Sequence, residues 1–211
     1  MKKITTLLFD VDGTVLDTRE FIIQASVHAL STLGYPVPER SILAGKVGVP
    51  FPDYYIELTG KNDGVDKLIK AHREFQQANL NLSKPFPNTI ETLKALKNKG
   101  YKIAAVTSRS KSTSHQTLVD AGIFDLFDVI VSFEDAEGLK PDPAPLFKAL
   151  EYLNETSEKA VMIGDSHIDV QAGKNAETKT IRAMYGFHKD NLHEPEPDLF
   201  IEDISDLLKI L

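Results

Sequence analysis

Six short runs of apolar and β-branched residues recur along the chain, most of them separated by helix-forming stretches, and this alternation constrains the fold more than any other feature. The first run, Ile4 to Phe9, is nearly continuous and stops at Asp10. That is the mark of a strand buried on both faces of a parallel sheet. Lys102 to Thr107, Asp128 to Ser132, Ala160 to Gly164, Thr178 to Met184 and, more weakly, Asp198 to Ile201 repeat it. Between them, Asn88 is placed to cap a helix with Glu91 three residues on; Ile90, Leu93 and Leu96 line one face of it, and Gly100 stops it. Asp142 and Pro143 open another helix, carrying Leu146, Ala149, Leu150 and Leu153. Strands alternating with helices of this length predict right-handed βαβ units and an α/β fold: a doubly wound, Rossmann-like, mostly parallel sheet with helices on both faces.

The segment from about Thr18 to Ser83 breaks the alternation. Phe21, Ile22, Ala25, Ala29 and Leu30 give one helical face, Tyr54 to Leu58 and Val65 to Leu80 give more, and no strand pattern intervenes. The segment reads as an all-helical domain, 18–83, inserted into a core made of 1–17 and 84–211. The chain re-enters the core through Lys84-Pro85-Phe86-Pro87, whose prolines favour an extended linker. With 42% hydrophobic and 26% charged residues the chain can bury a real core.

Composition excludes several classes of function. No apolar run approaches the ~20 residues that span a bilayer. The apolar stretch near the start ends at Asp10 without a small-residue cleavage site, so no secretory signal is expected and the cytoplasm is the expected location. The absence of Cys rules out disulfides, zinc–thiolate sites and cysteine nucleophiles. A formal charge of −7 argues against a nucleic-acid surface.

In open parallel sheets, ligands bind beyond the carboxyl ends of the strands. The first strand ends in Asp10-Val11-Asp12-Gly13-Thr14, the second in Thr107-Ser108 and the fourth in Gly164-Asp165-Ser166, while the third is followed after a loop by Lys140-Pro141. Asp10 and Asp12 lie two apart where strand gives way to a Gly-containing loop, so both can turn towards one space. Carboxylates that close need a cation to stay ionised, and oxygen ligation suits Mg²⁺, with Asp165 supplying a further carboxylate. A carboxylate beside a metal-bound phosphate can attack phosphorus. Asp10 is the candidate nucleophile and Asp12 the candidate acid/base. Thr107 and Lys140 are placed to hold phosphoryl oxygens.

In order and spacing, Asp10-Val11-Asp12-Gly13-Thr14, Thr107, Lys140-Pro141 and Gly164-Asp165-Ser166-His167-Ile168-Asp169 resemble the four motifs of haloacid dehalogenase superfamily phosphatases. The match spans almost the whole chain and is most similar to the phosphoglycolate phosphatase and pyrophosphatase-like branch; the helical insertion looks like that superfamily's small cap. The resemblance implies a Mg²⁺-dependent phosphatase of small phosphorylated metabolites acting through an aspartyl-phosphate. It implies Asp10 as nucleophile and metal ligand, Asp12 as acid/base with its carbonyl on the metal, Asp165 as a direct ligand, and Asp169 supporting the metal through water. Thr107 and Lys140 would bind phosphate, Gly13, Thr14 and Ser108 would shape the phosphate loop, and Asp17 matches a hinge acid.

Relatives that cleave carbon–halogen or carbon–phosphorus bonds usually lack the second aspartate of the first motif, which this chain has. Family phosphomutases use a cap-loop arginine, and Gly48-Val49-Pro50-Phe51 contains none. Hydrolysis is therefore favoured over the rival mutase, and the presence of every key side chain disfavours a non-catalytic phosphate-binding regulator. Lys46, Phe51, Tyr54 and Tyr55 are candidates for reading the leaving group, although aromatic residues at helical spacing commonly build core. Arg109, Lys111 and His115 either touch an anionic substrate or are solvated. None of the six His is assigned to metal, and His167 is expected at the rim of the site. Substrate identity and oligomeric state are not encoded legibly.

Overall fold

The computed structural model describes residues 3–47, 49, 51–188 and 195–211. Its first strand, β1 (Thr6–Phe9), is wholly buried, with Leu7 and Phe9 facing one apolar layer and Leu8 the other. The remaining elements are β2 (Leu16–Asp17), α1 (Arg19–Thr32), α2 (Arg40–Gly45), α3 (Phe51–Thr59), α4 (Val65–Ala78), β3 (Lys84–Pro85), α5 (Thr89–Asn98), β4 (Lys102–Val106), α6 (Lys111–Asp120), β5 (Val129–Val131), α7 (Ala144–Leu153), β6 (Ala160–Gly164), α8 (His167–Asn175), β7 (Lys179–Ala183), β8 (Leu199–Ile201) and α9 (Leu207–Ile210), joined in places by single 3₁₀ turns.

Six strands form one parallel sheet in the order β5-β4-β1-β6-β7-β8. Register keeps side-chain parity across it: Leu7 pairs with Ile103 and Val161, and Leu8 with Ala104 and Met162. Because successive strand residues point to opposite faces, two separate apolar layers follow. Leu7, Phe9, Ile103, Ala105, Val161, Ile163 and Ile181 pack with Leu93 and Leu96 of α5, Leu118 of α6 and Leu207 of α9. Leu8, Ala104, Val106, Val131 and Met162 pack with Leu146, Ala149, Leu150 and Leu153 of α7 and Ala172 of α8. Helices thus cover both faces, and the predicted doubly wound α/β sheet is what forms. The chain leaves β1 in one direction to β4 and β5, then returns to β6 on the other side of β1. Strand order therefore reverses at β1, where the fold opens its ligand crevice.

Two details differ from the sequence reading. Asn88 sits in the left-handed region (φ 65°) and makes no side-chain cap on α5. Its amide donates instead to both carboxylate oxygens of Asp203 at 3.1 Å, so a tertiary partner outcompetes the local one. The Lys84–Pro85 linker is extended and also pairs antiparallel with Leu16–Asp17, forming the short ribbon β2–β3.

By internal contacts the chain forms two compact units, Met1–Asp17 with Lys84–Leu211, and Thr18–Ser83. Among its described residues the second unit holds no strand; α1 packs along α4, with α2 on α1 and α3 on α4. Its α1 buries Phe21, Ile23, Ala25, Ser26, Ala29 and Leu30, while Ile22 is half-buried. Tyr54 and Tyr55 lie in this unit's own core: Tyr54 donates to Ser26 Oγ (2.8 Å), and the Tyr55 hydroxyl meets His72 Nδ1 (2.7 Å). Lys46 pairs with Glu57, and the Phe51 ring lies 4.4 Å from that of His72. Gly48 and Pro50 of the segment without arginine lie outside the described residues. No helix among the described residues is long and apolar enough to cross a membrane.

Candidate active site

Asp10, Thr107 and Asp165 each follow the end of a strand, Lys140 lies in the loop between β5 and α7, and Asp169 lies in the first turn of α8. Asp10 follows β1 directly, its N–H donating to the Ile163 carbonyl of β6 at 2.9 Å. The chain then coils around the Val11 carbonyl, which accepts from Thr14, Val15 and Leu16 N–H at 3.3, 3.1 and 2.9 Å, while Gly13 N–H donates to Leu16 O at 2.9 Å. Buried Val11 and Val15 pin this coil to the core. Gly13 takes φ 84°, and a Cβ there would run into the Asp165 carboxylate, so the turn needs a glycine on both counts. Thr14 is fully buried behind the turn; its carbonyl accepts from the Tyr185 hydroxyl (2.9 Å), and its Oγ1 has no hydrogen-bond partner.

Asp165 follows β6, and Ser166 caps α8. Ser166 Oγ accepts from Asp169 N–H (3.2 Å) while Asp169 Oδ2 accepts from Ser166 N–H (3.2 Å) and Oγ (2.6 Å), a reciprocal capping box. The cap thereby aims the Asp169 carboxylate back at the sheet, where Asp10, Asp165 and Asp169 offer oxygens within 4.8 Å of one another. Lys140 stands among them. Its ammonium donates to Asp10 Oδ1 at 2.5 Å, Asp169 Oδ1 at 2.6 Å and the Val106 carbonyl at 3.0 Å, one acceptor for each of its three donors.

Burial governs the electrostatics. It pushes the Asp10 carboxyl well up, against the pull of Lys140 and with help from Asp169 and Asp165. It pushes Asp165 up to about 7, with Asp169 adding to the shift and the Phe187 and His188 amides opposing it. For Asp169, burial is outweighed by Lys140 and Ser166, which hold the group below its usual range. For Lys140, burial opposes the charge, but Asp10 and Asp169 raise its pKa. Lys140 bonds two of the three buried carboxyls, Asp10 and Asp169, while Asp165 is met by main-chain amides.

The Asp12 carboxylate points elsewhere. Both its oxygens are gripped by Arg109, Nε to Oδ2 at 2.8 Å and Nη2 to Oδ1 at 2.7 Å. The carboxyl neighbour that Asp10 gains is thus Asp169, brought in by α8, rather than Asp12 two residues on. Thr107 is buried after β4, its Oγ1 accepting from Arg109 N–H (3.2 Å), while Ser108 is exposed. Lys111 pairs with Asp135, the His115 ring lies 4.4 Å from that of Phe124, Asp17 is exposed in β2, and His167 is exposed at the start of α8.

Sequence reading left Arg109 undecided and missed the support behind Asp165. Arg182 of β7 is fully buried and donates to the main-chain carbonyls of Asp165 (3.3 Å) and His188 (3.2 Å). The same loop returns the Phe187 and His188 amides to Asp165 Oδ2 at 2.6 and 3.3 Å. An arginine between Ile181 and Ala183, at the apolar end of a strand, was the available signal, since a buried guanidinium must find acceptors.

The family model for haloacid dehalogenase-like hydrolases matches residues 7–183. The chain belongs to that family. It is 35% identical over 211 residues to the pyrophosphatase PpaX of Bacillus cereus (strain G9842), covering 99% of this chain and 97% of that one. A predicted phosphatase from Clostridium acetobutylicum superposes with a TM-score of 0.87 at 25% identity, over 99% of this chain and 98% of the other. A predicted phosphoglycolate phosphatase from Haemophilus somnus reaches a TM-score of 0.91 over 100% and 99% of the two chains, and at 24% identity it speaks for the fold alone. The chain is an enzyme of the family's phosphatase class.

Proposed function

We propose that this phosphatase hydrolyses a small phosphorylated metabolite in two displacements at Asp10, with Mg²⁺ held by Asp10, Asp165 and the Asp12 main-chain carbonyl and supported through water by Asp169. The supporting observation is the meeting of three buried carboxyls within 4.8 Å of one another, two of them bonded to the Lys140 ammonium. An all-oxygen donor set short of positive charge fits a hard divalent cation. Bound there, Mg²⁺ neutralises the carboxylates and polarises a phosphoryl oxygen.

In the first displacement the Asp10 carboxylate attacks phosphorus, the bond from phosphorus to the leaving oxygen breaks, and Asp12 gives that oxygen a proton. In the second, water attacks the aspartyl-phosphate, its proton passes to Asp12, and the bond from phosphorus to Asp10 breaks to release phosphate. Thr107 Oγ1 accepts from Arg109 N–H, which leaves its O–H to donate to a phosphoryl oxygen. Lys140 exchanges an aspartate for phosphate as Asp10 takes up the phosphoryl group. Gly13, Thr14 and Ser108 shape the phosphate loop, and the 18–83 unit serves as the cap. Pyrophosphate and 2-phosphoglycolate, the substrates in the names of its relatives, are the first to test.

Asp10→Asn should lower Mg²⁺-dependent phosphate release by about a thousandfold or more and abolish labelling of the chain by ³²P-substrate, with the circular dichroism spectrum unchanged. Turnover within tenfold of the parent, or persistent labelling, would show that the nucleophile lies elsewhere.

A further inference from the structure

Resting on the reading of Asp12 as proton donor to the leaving oxygen, we propose that Arg109 selects substrates whose leaving group carries an anionic group of its own. The guanidinium grips both oxygens of Asp12, at 2.8 and 2.7 Å. A fork that fits one carboxylate fits another, or a phosphate, equally well. An anionic group on the leaving side therefore competes for the same donors. Its arrival passes the fork from Asp12 to the substrate, and the Asp12 carboxyl, no longer paired with the guanidinium, takes up a proton from solvent and turns it towards the leaving oxygen. A leaving group without charge offers the guanidinium nothing in exchange, and Asp12 stays engaged.

Three features single out Arg109 among the cations near the site. Lys140, bonded to Asp10, Asp169 and the Val106 carbonyl, serves the transferring phosphoryl group beside Asp10. Arg182 is fully buried and directed at main-chain carbonyls, out of reach of any ligand. The side chains of Arg109 and Asp12 keep 11% and 28% of their surfaces exposed, so a ligand can approach this pair. The base of the arginine is also held in place. Its N–H donates to Thr107 Oγ1 (3.2 Å), its carbonyl accepts from Phe133 N–H (2.8 Å), and Nη1 donates to the buried Thr117 Oγ1 of α6 (2.9 Å). The fork can turn between partners while the loop carrying Thr107 stays where it is.

The test compares 2-phosphoglycolate with 2-hydroxyethyl phosphate, which replaces the carboxylate by an uncharged alcohol, using the full-length protein with Mg²⁺. The parent should favour the charged ester by about 10- to 100-fold in kcat/KM, the range expected of charge-assisted hydrogen bonds. Arg109→Gln should bring that ratio to within about threefold of unity, and Arg109→Lys, which keeps the charge without the fork, should give an intermediate ratio. Equal efficiency of the parent on the two esters would overturn the proposal without any variant. So would an Arg109→Gln ratio equal to the parent's, both activities having fallen together, because Arg109 would then only position Asp12. Failure of the parent to release phosphate from either ester or from pyrophosphate would overturn the phosphatase reading itself. Turnover with an unchanged ratio overturns this inference alone.

Discussion

The carboxyl of Asp165 is pushed up to about 7 by burial, from an ordinary value of 3.8. Between those values the folded chain holds a proton that the unfolded chain has released. This group's contribution to the stability of the ion-free protein therefore falls as pH rises from about 4 to 7, then levels off. Asp169 acts in the opposite sense: its pKa is lowered, so its contribution is lost only as pH falls below its ordinary value. At the proposed metal site Mg²⁺ would have to displace the Asp165 proton, so its affinity should climb by up to roughly tenfold per pH unit below about 7 and flatten above. The rise in Tm on adding Mg²⁺ should accordingly grow from about pH 5.5 to 7.5 and then stay constant. A rise of constant size across that range would mean that Asp165 enters the fold already ionised.

Helix α8 is short, and its first turn does two jobs. The Ser166–Asp169 capping box satisfies backbone donors at the helix start and also fixes where the Asp169 carboxylate lies relative to Lys140. Ser166→Ala should therefore lower stability by about 1 kcal/mol, the usual cost of losing such a cap, and should weaken Mg²⁺ binding as well. Denaturant melts and Mg²⁺ titration measure the two effects separately; an affinity equal to the parent's would show that Lys140 alone aims Asp169. Start signals of this kind were readable where the partner is local, as with Asp142, whose Oδ1 accepts from Ala144 N–H at 2.8 Å at the start of α7. They misled at Asn88, whose side chain turns to Asp203, distant in sequence.

At the scale of the whole molecule, each compact unit buries its own apolar layer or layers. Leu68 of α4 is fully buried in the helical unit, so Leu68→Ala should destabilise that unit by about 2–5 kcal/mol. Hydrogen exchange should report faster opening of amides in 18–83, while those of β1, β4 and β6 keep the parent's rates. Equal acceleration in both sets would mean that the chain opens as one cooperative body.

Sequence alone determined the sheet and the positions of Asp10, Thr107 and Asp165 directly after strand ends. The physical reason is that burial on two faces imposes a local apolar pattern, and a strand's end is where that pattern stops. Tertiary structure decided the pairings. Asp12 and Arg109 lie 97 residues apart and Lys140 and Asp169 lie 29 apart, and the guanidinium of Arg182 finds the carbonyls of a neighbouring strand end and its own loop. Which charge meets which depends on the order in which strands join the sheet and on where each loop returns, and spacing along the chain carries neither.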